Sequence, residues 1–215
     1  MSDSPLSHRE AKKRRTRAAL ESEATKQVLA RGSANVTIED ICEPVGISKR
    51  TFFNYFSSKE EAIIGAGPRI PTDDEVQAFI AKPHDDILGS TMRFFHSLIF
   101  HDSHIFDWDT LKRRHEIKQR EPELGAHQFA NFHVARHQVE QLLIQYYTAF
   151  PQQVVGHHTA EEEAGLVTGI AIMCLANAGR RWEAEGDGSA DSLIEFGFEV
   201  REEMRRVLAA GATTQ

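Results

Sequence analysis

Between Arg14 and Ala30 the apolar positions Ala18, Ala19, Val28 and Leu29 are set among helix-forming residues, and Gly32 follows as a stop. This predicts a first helix behind a flexible start over residues 1–10. A second helix opens at Thr37, whose hydroxyl suits an N-cap, and carries Ile38, Ile41 and Val45 with Glu39 and Asp40 in its first turn. Gly46-Ile47-Ser48 breaks the pattern, a short basic and aromatic segment runs from Lys49 to Phe56, and Ser57-Ser58 with Glu60 and Glu61 opens a fourth helix. Two helices joined by a three-residue turn containing glycine make the helix-turn-helix arrangement. Gly65, Gly67, Pro68 and Pro71 end this stretch, and helical periodicity resumes over about 72–81, 85–100, 105–119, 123–149, 159–185 and 190–209. No strand-like alternation persists. The expected fold is all-α: an N-terminal three-helix helix-turn-helix module over 1–65, with an arm over about 1–13, and a larger C-terminal helical bundle over 66–215.

Charge is divided along the same line. The chain carries a net −7, yet residues 1–60 hold eleven Lys/Arg against eight Asp/Glu, a local +3 that leaves −10 on the remainder. A basic head attracts phosphates while an acidic body stays solvated, although the run from Lys12 to Arg17 reads equally well as a solvated charge cluster. The two cysteines, Cys42 and Cys174, stand far apart in apolar contexts, which suits a reducing cytoplasm. The least polar run, Gly169 to Gly179, is too short to span a bilayer. A cytoplasmic protein that does not engage membranes is expected.

Residues 37–60 read TIEDICEPVGISKRTFFNYFSSKE. Gly46 allows a backbone conformation most residues avoid, Ile47 plugs the turn into the core, and Ser48 caps the helix that follows. A short helix presented this way fits the DNA major groove with its N-terminal residues nearest the base edges. Lys49, Arg50, Thr51 and Asn54 are therefore the candidate readers, since Lys and Arg suit guanine, Asn suits adenine, and Thr meets a thymine methyl or a phosphate. Phe52 and Phe56, four apart, are expected to face the core.

This stretch resembles the TetR family of helix-turn-helix transcriptional regulators. The matching elements are the Thr-initiated helix, the Gly46-Ile47-Ser48 turn, Thr51-Phe52, Tyr55-Phe56 and Ser58-Lys59-Glu60. The resemblance implies that Thr37, Tyr55 and Lys59 touch the phosphate backbone, and Ser48 joins the same DNA-facing set. Two positions depart from the family pattern: Phe53 stands where a phosphate-bonding tyrosine is usual, and Pro44 replaces a helix-forming residue late in the second helix. Both bear on how the module docks.

By the same resemblance the C-terminal body binds a small-molecule effector and forms a homodimer. A dimer also follows from the size of the reading element, since one short helix reads few bases and a two-fold pair reads two half-sites. Gly165, Gly169, Ile172 and Ala176 form a stripe of mostly small side chains, and with Phe196 and Val200 they are the candidate dimer seam; an intramolecular contact is the alternative. Candidates for the effector pocket are Phe95, Trp108, His115, Phe132, His133 and His137, although an aromatic stripe is more often core. His133 and His137, four apart, have metal-ligand spacing, and His101, His104, His157 and His158 lie elsewhere, but no matched cysteine or carboxylate accompanies them. No metal and no cofactor is expected.

An enzyme is the main rival reading, yet the chain has no Gly-rich phosphate loop and no nucleophile elbow, and Glu161-Glu162-Glu163 reads as a solvated first helical turn. An architectural DNA binder would call for a strongly basic body, which this one is not. The expectation is a ligand-responsive repressor that binds a palindromic double-stranded operator as a dimer and is released by its effector.

Overall fold

The computed structural model describes residues 8–100, 107–155, 158–185 and 189–211. Ten α-helices and no strand occur among the described residues: α1 (His8–Arg31), α2 (Ile38–Val45), α3 (Lys49–Phe52), α4 (Lys59–Ile64), α5 (Asp73–Ile80), α6 (Ile87–Ile99), α7 (Trp108–Arg120), α8 (Ala126–Ala149), α9 (Ala160–Glu185) and α10 (Ala190–Gly211). None of them is long and apolar enough to cross a membrane. The chain divides into two compact units, Met1–Ala66 with Phe106–Gln128, and Gly67–Ile105 with Phe129–Gln215.

The first unit is built on α1. Leu20, Ala24, Thr25 and Val28 form its buried stripe, one turn apart, rather than the alanines at 18 and 19. The helix begins at His8, so the stretch expected to be an arm is helical from that residue onward. Residues 8–13 bury nothing that periodicity would register, but Ala11, Lys12 and Lys13 are strong helix formers, and extending a nucleated helix is cheap. Val36, Ile41, Cys42, Phe52, Phe56, Ala62, Ile63 and Ile64 complete the core from α2, α3 and α4.

The compact first unit differs from the expected 1–65 module in one respect, because residues 106–128 belong to it. The reason is local chemistry on α7 and the turn after it. Ile117 and Leu124 are buried in the same core. Arg113 Nε donates to Thr25 Oγ1 at 2.9 Å, and Arg114 Nε donates to the Ile63 carbonyl at 3.0 Å at the C-terminal end of α4. Gln128 Nε2 reaches the next carbonyl, that of Ile64, at 3.3 Å. The carbonyls α4 leaves unpaired at its end are thus satisfied from more than fifty residues away.

The second unit is a helical bundle. Phe79, Leu142, Leu143, Tyr146, Tyr147, Ala164 and Val167 form one core cluster, and Phe95, Leu98, Ala135, Val139 and Leu175 another. α9 packs along both α6 and α10. The approach of α10 is close at Gly197, where a Cβ would lie 3.0 Å from Met92 Cε and 3.3 Å from Leu175 Cδ2. Arg201 of α10 pairs with Asp86, the N-cap of α6, at 2.5 Å.

α5 carries a reciprocal capping box between Thr72 and Glu75. Hydrogen bonding to the Arg69 guanidinium and to the Thr72 amide holds the Glu75 carboxyl down to about 2 from an ordinary 4.5. The folded chain therefore binds this proton more weakly than the unfolded chain. The stabilisation is complete above the ordinary value and is lost as pH falls from there towards about 2. Glu75→Gln should lower the melting temperature at pH 7 and leave it unchanged near pH 2, as followed by circular dichroism.

Candidate nucleic-acid interface

The turn between α2 and α3 is fixed by backbone geometry. Gly46 adopts the left-handed conformation (φ 72°, ψ 33°). Its amide donates to the Glu43 carbonyl at 3.1 Å, and the Ile47 amide reaches back to Cys42 at 3.2 Å, closing the end of α2. A Cβ added at Gly46 would meet nothing within 4 Å, so the glycine is required by its dihedral angles alone. Gly46→Ala should therefore cost about 1–2 kcal/mol, read as a shift in the urea midpoint with an unchanged slope.

Pro44 lies inside α2 without breaking it. A residue with an amide here would donate to the Asp40 carbonyl, and proline cannot. That carbonyl instead accepts from Gln27 Nε2 of α1 at 2.8 Å. The substitution costs the helix one internal bond and gains a tie between α1 and α2.

Both helices of the motif are side-chain capped. Thr37 Oγ1 accepts from the Asp40 amide at 3.1 Å while Asp40 Oδ2 accepts from the Thr37 amide at 2.8 Å, and these bonds from Thr37 hold the Asp40 carboxyl below its usual range. Ser48 Oγ accepts from the Thr51 amide at 3.2 Å and lies 2.9 Å from the Thr51 hydroxyl. The three hydroxyl residues predicted to face DNA are thus occupied in setting the start of each helix.

The eight predicted DNA-contact residues separate into distinct roles. Lys59 Nζ donates to the Ser33 and Val36 carbonyls at 2.7 and 2.9 Å, which ties α4 to the α1–α2 connection. Tyr55 is half-buried against the core. Lys49 faces outward but pairs with Glu39 at 2.9 Å, and this hydrogen bond holds the Glu39 carboxyl below its usual range. Arg50 and Asn54 are exposed, and their side chains have no hydrogen-bond or ionic partner among the described residues. Phe53, at the C-cap of α3, is 50% exposed while Phe52 and Phe56 are buried.

Three residues outside the predicted set hold this surface in place. Arg17 sits within the basic run read for phosphate attraction, yet its guanidinium turns inward. It donates to the Tyr55 carbonyl at 2.5 Å and to Glu61 Oε1 at 3.2 Å, pairs with Glu21 at 3.3 Å, and lies 4.4 Å above the Phe56 ring. Glu61 in turn accepts from the Ser57 amide and hydroxyl at 2.7 Å each. These bonds keep its carboxyl ionised against the opposing effect of burial. Glu121, after α7, accepts from the amide and hydroxyl of Ser33, the residue whose carbonyl Lys59 holds. Arg9, Lys12, Lys13 and Arg15 remain exposed on α1.

The predicted effector residues are divided between the two units. Trp108 and His115 belong to the first unit, with His115 Nε2 2.6 Å from Gln119. In the second unit Phe95 is buried edge-on against Phe132 at 5.6 Å as core, His133 sits beside the exposed Phe129 ring at 4.3 Å, and His137 is exposed. A shallow groove of about 180 Å³ between α5 and α8, with Gln77, Gln138 and Gln141 on its walls, contains none of these residues. Phe106, His101, His104 and His157 lie outside the described residues, among which no group of three His, Cys, Asp or Glu side chains is placed to hold a metal.

Of the predicted dimer-seam residues, Val200 is buried within its own unit and Ile172 packs against the Phe95 cluster, so both act as core. Phe196 is covered by the Arg181 guanidinium at 5.1 Å. Ala176 is exposed and Gly165 and Gly169 are partly so. The sequence reading missed Leu166 and Met173, which are exposed on the same helix at the spacing of Gly169 and Ala176.

Residues 22–63 match the family model for bacterial regulatory proteins of the tetR family. The HTH-type transcriptional regulator TcmR of Streptomyces glaucescens is 46% identical over 56 residues, 26% of this chain and 25% of TcmR. The chain thus matches a quarter of the length of that relative. Salmonella enterica GusR, a solved structure, aligns over 86% of this chain and 93% of its own with 14% identity and a TM-score of 0.43, a distant likeness. The matched region in this chain contains the capped α2, the Gly46 turn and the Arg50–Asn54 surface, so it is this N-terminal helix-turn-helix segment that is similar to the tetR family of bacterial regulatory proteins.

Proposed function

We propose that the protein is a sequence-specific DNA-binding transcriptional regulator which places α3 in the major groove. The family is one of regulators, not enzymes. The observation that carries the reading is the contrast on α3: every residue that shapes the turn is bonded within the domain, while Arg50 and Asn54 are exposed and uncommitted. Arg suits the paired acceptors of guanine and Asn the donor and acceptor of adenine. The exposed cations Arg9, Lys12, Lys13 and Arg15 supply phosphate attraction.

The finer reading is a homodimeric, ligand-responsive repressor of a palindromic operator. Its support is the outward stripe Leu166, Gly169, Met173 and Ala176 on α9 with the exposed Val207 and Leu208 on α10, apolar surface of the kind a second copy covers. The effector role of the second unit rests on the family resemblance.

Selection of bound duplexes from a randomised DNA pool by the full-length protein tests the proposal. Enrichment of an inverted repeat whose half-sites lie a helical turn or more apart is the expected result. A folded protein that enriches no sequence would overturn it.

A further inference from the structure

Phe53 is an aromatic residue in the middle of a polar, cationic reading surface. It follows Arg50 by three residues and precedes Asn54, and its αR backbone (φ −67°, ψ −6°) with its amide donating to the Lys49 carbonyl keeps it on the helical path of α3. Arg50 on α3, Phe53 at its C-cap and Asn54 in the turn that follows are all exposed. The ring is held in that position: it stands edge-on to Phe52 with centroids 5.6 Å apart at 90°, and Phe52 is fully buried and packed 5.2 Å from Phe56. A half-exposed ring that rests on Phe52, between two candidate base readers in sequence, offers the major groove an apolar contact and neither a donor nor an acceptor.

The major-groove edge of DNA presents one apolar group, the 5-methyl of thymine, or of 5-methylcytosine where cytosine is modified. We propose that Phe53 is a specificity residue that reads a pyrimidine 5-methyl group in each half-site, between the bases read by Arg50 and Asn54. The inference rests on the DNA-binding reading above and gives that site a contact that cannot be satisfied by hydrogen bonding. It also turns the departure at position 53 from a missing phosphate contact into a base contact.

The test uses the duplex that the full-length protein selects from a randomised pool, resynthesised with each thymine in turn replaced by deoxyuridine, which removes the methyl alone. For the wild type, one thymine per half-site should weaken binding by about fourfold when replaced, the worth of one buried methyl. Phe53→Ser should be indifferent to the same replacement, while Phe53→Leu, which keeps an apolar tip there, should retain part of the penalty. With a C·G pair at that position, methylating the cytosine C5 should strengthen wild-type binding and leave Phe53→Ser unchanged. A wild-type scan flat at every thymine overturns the inference while leaving DNA binding intact, and so does a penalty that persists in a folded Phe53→Ser. A pool from which nothing is selected overturns both readings together.

Discussion

The Arg50→Ala/Asn54→Ala double variant should bind the selected operator at least about a hundredfold more weakly than the wild type, with weak, sequence-independent binding largely retained. Each good bidentate contact to a base edge is worth about 1–3 kcal/mol, and a dimer makes each contact twice. Neither side chain contributes a bond to the fold, so the melting temperature should not move. The comparison with Lys13→Ala separates base reading from phosphate attraction: losing this surface charge from both protomers should weaken all sequences alike and lessen the salt dependence by about two ions. Equal losses on operator and unrelated DNA in the double variant would mean that α3 only tracks the backbone.

Arg17→Ala is the second large effect, and it acts on the domain's architecture. One guanidinium holds the carbonyl following α3, the Glu61 carboxylate that stabilises the turn before α4, and the face of Phe56. Removing it strands a part-buried carboxylate and a carbonyl, at a cost of about 2–3 kcal/mol. Arg17→Lys should recover little of this, because an ammonium cannot fork between carbonyl and carboxylate while lying flat on a ring. Chemical denaturation should show the loss in stability. Specific binding should weaken more than for Lys13→Ala, because α3 is no longer held against α1. An Arg17→Ala protein as stable as the wild type and weakened on DNA only as much as Lys13→Ala would make Arg17 a phosphate contact instead.

What the sequence makes legible here is short-range. Thr37, Gly46, Ser48 and Ser58 are readable because a cap or a left-handed turn is satisfied within three residues of the side chain that creates it. The helices of the second unit follow the periodicity of their apolar residues within a few positions for the same reason. Roles that depend on distant partners are not encoded that way. Nothing near Lys59 marks its ammonium for the carbonyls of Ser33 and Val36, and nothing near Arg114 marks it for the end of α4.

Likewise, the run Lys12 to Arg17 looks uniform as sequence, although α1 turns Arg17 inward and leaves Lys12 and Lys13 outside. Residue type alone also does not show that the hydroxyls of Thr37 and Thr51 are engaged at the starts of α2 and α3. In the second unit, a stripe of small residues marked a face of α9 but not which of its neighbours, Leu166 and Met173 or Ile172, would be left uncovered.

The central claim is that the exposed face of α3 reads base edges from the major groove, and methylation interference tests it most directly. Operator duplexes methylated at random on guanine N7, a major-groove atom, and on adenine N3, a minor-groove atom, are separated into bound and free fractions and cleaved. N7 methylation of a guanine in each half-site should exclude the duplex from the bound fraction for the wild type, and that exclusion should vanish with Arg50→Ala. Interference confined to adenine N3, or a guanine pattern unchanged in Arg50→Ala, would contradict it.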